Sequence, residues 1–162
     1  MTNKKKCTVA DYMRTPAITA NITTTFREAV EIMIKENINS LVIVDRDGKV
    51  IGILSSWDLV EYVVPDYLEE DKHLAAFESS DTFKIRTRQI ANDPIGKFIT
   101  KRVHTISAGS SIMETATTLS EYHVRQMPVV DEKGYPIGYI NCADIKQAIY
   151  DVLQGRRSNN KE

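Results

Sequence analysis

Two cysteines, three histidines, no long apolar run and a net charge of −1 deprive this 162-residue sequence of several common functional signatures. Cys7 and Cys142 are too few for a disulfide framework and stand at no metal-ligand spacing, so reduced thiols are expected. His73, His104 and His123 form no HExxH pattern, and no nucleophile elbow, Walker loop or Rossmann glycine fingerprint occurs. Catalysis is therefore not expected, and no metal or required cofactor is implied. The start has no apolar stretch of the kind a secretory signal needs, and no window reaches the length of a membrane span. A cytoplasmic protein acting away from the membrane is the expectation. The balanced charge offers no field to attract nucleic acid or an anionic lipid surface. The basic clusters Lys4-Lys5-Lys6 and Arg156-Arg157 read as solvated parts of flexible tails over 1–8 and 154–162.

What the sequence does have is a repetition. LVIVDRDGKVIGILSSWDL, from Leu41, returns as MPVVDEKGYPIGYINCADI, from Met127, without a gap and at a constant offset of 86 residues. Val44, Asp45, Gly48, Ile51, Gly52 and Asp58 fall on Val130, Asp131, Gly134, Ile137, Gly138 and Asp144. The register runs backward to Thr19 over Thr105 and Glu28 over Glu114. Two copies of a small unit suggest a pseudo-symmetric pair with ligand sites at or near a shared interface, which is the pattern of a binding module. An apolar content of 42% with 27% charge suits one globular core or two small fused ones.

Each copy has the same plan. Ala17–Ala20 predicts a short strand, and Thr25-Phe26-Arg27-Glu28 has the form of a capping box opening a helix with a buried Phe26, Val30 and Met33 stripe. LVIVD and VIGIL read as strands joined by a turn at Gly48, and Ser55 opens a second helix running to about Val63. In the second copy Val103–Ile106, the box at Ser111 and Glu114, the PVVD–PIGYI hairpin and a helix from Asn141 to about Leu153 follow in the same order. Strand, helix, strand, strand, helix twice over gives an α+β fold. Domains are expected at 9–63 and 95–152. The 64–94 insertion between them carries enough apolar residues to predict one or two packed helical segments.

Ser55-Ser56-Trp57-Asp58 admits two readings. A serine at a helix start stands beside free amides and the positive end of the dipole, where an anion is favoured, and an acid three residues on can take a vicinal diol. Ser-x-x-Asp is equally close to a capping box that only starts a helix. The two roles are compatible.

The ordered set DYMRTPAIT, EAVEIM and LVIVDRDGKVIGILSSWDL, with its second-copy partners, closely resembles a tandem pair of CBS domains, the module named after cystathionine β-synthase. The resemblance covers about 9–62 and 95–150. It implies a pseudo-two-fold sandwich whose two clefts often bind adenosine-containing ligands such as AMP, ADP, ATP or S-adenosylmethionine. By this resemblance Asp58 accepts the ribose hydroxyls and Ser55 donates to a phosphate, with the adenine on Val103, His104, Thr105 and Ile106. The second cleft pairs Asn141 and Asp144 with Ala17, Ile18, Thr19 and Ala20. There Asn141 departs from the usual Ser or Thr, and Arg125 is the one cation just before a central strand, too little for a triphosphate. The site at Asp58 ranks above the site at Asp144. His104 reads either as a phosphate partner or as a half-buried ring satisfied by backbone, and Trp57 as core or interface packing. The function implied is a regulatory module that binds an adenosine-containing nucleotide, AMP foremost, and signals through a homodimer to an unidentified protein target. A ligand-free scaffold acting through dimerisation is the alternative.

Overall fold

The computed structural model describes residues 7–155, so the expected tails lie almost wholly outside the described residues. These residues form two compact units. The first-repeat unit holds 19–46 and 51–102, and the second-repeat unit holds 7–18, 47–50 and 103–155.

In the first-repeat unit α1 (Phe26–Lys35) starts at the expected box. Thr25 Oγ1 accepts from the Glu28 amide at 3.2 Å, and the Glu28 carboxylate accepts from the Thr25 amide at 2.8 Å. The helix buries Phe26, Ala29 and Met33, one stripe at helical spacing. The sheet order is β1 (Thr19–Ala20), β2 (Ser40–Val44), β3 (Val50–Ser55), with β1 parallel to β2. Leu41, Val42, Ile43 and Leu54 are almost wholly buried. After α2 (Ser56–Val63) the insertion forms α3 (Asp66–Glu70), a 3₁₀ segment (Lys72–Phe77) and α4 (Ser80–Ile90).

The second-repeat unit has β4 (Ile106–Ser107) parallel to β5 (Gln126–Val130), and β5 antiparallel to β6 (Pro136–Asn141), with helices α5 (Ile112–Glu121) and α6 (Cys142–Leu153). Its core is Val9, Ile106, Leu119, Met127, Val129 and Ile140. Both leading strands are shorter than expected. Of 103–106 only Ile106 is buried and paired, because the half-buried Val103 and His104 and the exposed Thr105 do not supply the apolar alternation a longer strand needs. Gly48 and Gly134 turn the hairpins at φ 83° and 87°, a conformation costly for residues with a Cβ. Asn37 and His123, again 86 residues apart, hold φ 51° and 52° just beyond α1 and α5, where left-handed backbone ends a helix. No helix among the described residues is long and apolar enough to cross a membrane.

The repeats along the chain and the units in space divide differently. The segment that leads the first copy belongs to the second-repeat unit. Val9 and Ala10 donate to the carbonyls of Ser110 and Ala108, both at 2.9 Å, and Arg14 exchanges backbone hydrogen bonds with Tyr139 at 2.8 and 3.0 Å. The segment that leads the second copy belongs to the first-repeat unit in the same way. Ile95 donates to Thr24 at 2.8 Å, and Thr100 exchanges backbone bonds with Ile53 at 3.0 Å each. Val9 and Ile95, equivalent positions, are both fully buried.

These crossing segments lie so close to β3 and β6 that only glycine fits beneath them. A Cβ on Gly52 would stand 2.7 Å from Ile99 Cδ1, the movable end of a side chain, and 3.3 Å from the Thr100 carbonyl. A Cβ on Gly138 would strike the Arg14 carbonyl itself, with Met13 Cε at 2.7 Å. Gly138→Ala is therefore expected to lower unfolding free energy by about 1–3 kcal/mol in urea denaturation, and Gly52→Ala by less. Equal losses would show that the two approaches are not different in kind.

Candidate functional site

Asp58 does two things at once. Ser55 is the N-cap of α2, its Oγ accepting from the Asp58 amide at 3.3 Å, while Asp58 Oδ2 accepts from both the amide and the hydroxyl of Ser55 at 2.6 Å. The capping reading of Ser-x-x-Asp is thus realised. It leaves Oδ1, which among the described residues accepts a long hydrogen bond from Thr100 Oγ1 at 3.3 Å, and Asp58 is half-buried. The first turn is tied down as well, since the Ser56 amide donates to the Asn39 carbonyl at 2.9 Å.

Asp144 is built alike and partnered differently. Asn141 caps α6, accepting from the amides of Ala143 and Asp144 at 2.9 and 3.2 Å, and its own amide donates to Asp144 Oδ2 at 2.9 Å. Asparagine therefore replaces serine in the cap without loss of the box. The carboxylate's other oxygen, Oδ1, takes a charged hydrogen bond from Arg14 Nε at 2.9 Å, and the Asp144 side chain is only 7% exposed. Arg125 enters through its backbone, its carbonyl accepting from the Cys142 amide at 3.1 Å, as Asn39 does for Ser56.

Ser55 with Asp58, and Asn141 with Asp144, are brought together as expected. The remaining expected residues divide by unit: Thr19 and Ala20 belong with Asp58, whereas Ala17, Ile18 and Val103, His104, Thr105, Ile106 belong with Asp144 and Arg125. The His104 ring stacks on Tyr122 with centroids 3.8 Å apart and planes 20° from parallel. Trp57 is neither core nor cover within its unit. It is 62% exposed, with Nε1 donating to Glu61 at 2.7 Å. The reading of the sequence missed Arg14 and Thr100. The signal was available, since the 86-residue register superposes them and each precedes its copy's leading strand.

A family profile, described as the CBS domain, matches residues 9–65 and 95–151. The chain belongs to the CBS domain family. A curated relative, L-aspartate semialdehyde sulfurtransferase from Methanocaldococcus jannaschii, is 30% identical over 86% of this chain, which spans 22% of that relative's length. The CBS domain pair of protein MJ0100, solved with 5′-methylthioadenosine and S-adenosyl-L-methionine, is 26% identical, with TM-score 0.70 over 91% of this chain and 98% of that one. CBSX2 from Arabidopsis thaliana shares the fold at 18% identity, with TM-score 0.74 over 93% and 99%. It has also been solved with AMP, at 19% identity and TM-score 0.67 over 91% and 98%.

In the first CBS unit a cavity of about 190 Å³ adjoins Asp58, with Tyr62, Phe98 and Arg86 among its walls. Tyr62 and Phe98 stack with centroids 3.9 Å apart, and the Arg86 guanidinium lies 5.7 Å from the Tyr62 ring centre while donating to the Tyr62 carbonyl at 3.2 Å. Arg86 comes from the insertion, outside both CBS motifs. Tyr62 Oη donates to Asp93 at 2.7 Å, which anchors α2 to the segment after α4. That hydrogen bond, then one from Lys97, holds the Asp93 carboxyl below its ordinary value, and burial followed by the same contact pushes the Tyr62 phenol up. A depressed carboxyl stabilises the fold above its unfolded pKa, and that contribution disappears as pH falls through the folded value. Tyr62→Phe is expected to raise the Asp93 pKa in a carboxyl NMR titration and to shrink the stability lost on acidification. An unmoved Asp93 would show that the cations Lys97 and Arg86 set it.

Proposed function

We propose that this CBS pair is a regulatory module that binds an adenosine-containing ligand, AMP foremost, with the ribose diol on Asp58 and without chemistry of its own. The observation that carries this is the carboxylate of Asp58, fixed by the cap through Oδ2 and keeping Oδ1 only weakly engaged. A preset acceptor loses little freedom on binding a diol, so more of the contact energy appears as affinity. Lys101 and Arg102 directly follow Thr100 and are exposed, adding positive charge suited to a monophosphate. The relative solved with 5′-methylthioadenosine and S-adenosyl-L-methionine supports the ligand class. Ser55 already donates to Asp58, so a phosphate has to compete for that proton.

The test is calorimetric titration with AMP, ADP, ATP and S-adenosylmethionine. Saturable binding of AMP that weakens by more than about tenfold in Asp58→Ala is expected, as for loss of a hydrogen-bonded charged acceptor. No binding of any of the four sinks the reading.

A ligand-free scaffold acting through dimerisation is the second reading, favoured by the ion-paired Asp144. Both readings take the chain as a homodimer that signals to a protein target. Val60 on α2 and Ile149, Val152 and Leu153 on α6 are exposed apolar residues suited to a helix-to-helix interface. Light scattering is expected to give twice the 18.3 kDa chain mass. A monomer mass at micromolar concentration rules the homodimer out.

A further inference from the structure

The two motif acids occupy equivalent positions, yet their free oxygens meet different partners. Asp58 Oδ1 faces a neutral hydroxyl, Thr100 Oγ1, at 3.3 Å. Asp144 Oδ1 faces the guanidinium of Arg14, with Nε at 2.9 Å. Arg14 and Thr100 are themselves equivalent in the repeat, and each is held in place by paired backbone hydrogen bonds to the neighbouring strand, with Tyr139 and Ile53 respectively. The difference is therefore one side chain at one fixed backbone position, not a difference of fold.

A carboxylate in a capping box has one oxygen left for a ligand. A hydroxyl partner rotates away and leaves lone pairs for a diol. An arginine bound through a charged hydrogen bond holds its partner about twice as strongly as a neutral donor and does not give up a proton. Burial adds to the effect, because a ligand displacing Arg14 would leave a nearly enclosed carboxylate without its counter-charge.

We propose that Arg14 masks Asp144, so that this chain takes one adenosine-type ligand per CBS pair, and that residues 14 and 100 determine which acid is open. The inference rests on the assignment of the diol to a motif acid. It places the selectivity outside the Gly-x-x-Ser-x-x-Asp motif, in the segments that lead each copy.

The experiment titrates the full chain with AMP and, separately, with adenosine, which carries the diol without a phosphate. Wild type is expected to bind one equivalent of either. Arg14→Thr, which installs the residue found at position 100, is expected to bind two, and Asp144→Ala in that background returns it to one. Thr100→Arg, which leaves the Arg14 pair intact, is expected to weaken binding at Asp58 by more than about tenfold. That variant keeps the test decisive should Arg14→Thr fold poorly, which circular dichroism and thermal melting reveal. Two equivalents in wild type, including a second site for AMP alone, overturn the proposal, as does Thr100→Arg binding like wild type. Should wild type bind nothing, the Asp58 assignment fails by itself. A site gained in Arg14→Thr and lost with Asp144→Ala then still supports the mask, and no gain overturns it.

Discussion

Everything in this molecule depends on the close passage of two short backbone segments, residues 8–15 and 94–100, over the sheets they complete. Each carries a fully buried apolar residue, Val9 or Ile95, into a core built mainly from the other copy's sequence. Each exchanges paired main-chain hydrogen bonds with a strand end, Arg14 with Tyr139 and Thr100 with Ile53. The energy is ordinary: burying one such side chain contributes roughly 1.5–3 kcal/mol, and each hydrogen bond about 1. The geometry matters more. Gly52 and Gly138 allow the approach, and the approach fixes residues 100 and 14 against the motif acids.

The repetition made most of this fold legible. Capping boxes, turn glycines and helical stripes are local signals, and the structure carries them at Thr25, Ser55 and Asn141, and at Gly48 and Gly134. What was not legible is where a short segment goes once its hydrogen-bonding needs are met by strands far along the chain. The stretch from Val9 through DYMRTPAIT reads as the opening of the first copy, and nothing in its local pattern says that Val9 joins one core with Ile106 and Met127. The leading strands were overestimated for a related reason. Apolar residues at 103 and 18 suggested strand, but pairing extends only where the partner strand and the core both accept the residue.

The site was half legible. Both acids stand in capping boxes opened by Ser55 and Asn141, a local arrangement that is decided within four residues. Their third partners come from 42 and 130 residues away and lie in irregular backbone, where periodicity carries no information. Register was the one route to them. Once the copies are aligned at 86 residues, an arginine stands opposite a threonine beside two capping-box acids, a difference of one full charge between the two sites. It outweighs Asn141 against Ser55, a substitution that the cap absorbs.

The proposed use of a capping acid as a ligand acceptor has a consequence for signalling. Asp58 holds the start of α2 through the Ser55 amide, so whatever takes its remaining oxygen acts on a group that already orders a helix. The same helix carries Tyr62, which reaches Asp93 and stacks on Phe98, two residues before Thr100. Acid, helix, aromatic pair and crossing segment thus form one closed loop of contacts within the first CBS unit. On the proposed function, a ligand taking Asp58 Oδ1 would compete with Thr100 inside that loop. Differential affinity is the physical requirement for any conformational signal. In the second unit the equivalent carboxylate oxygen is already taken by a charge pair between Arg14 and Asp144.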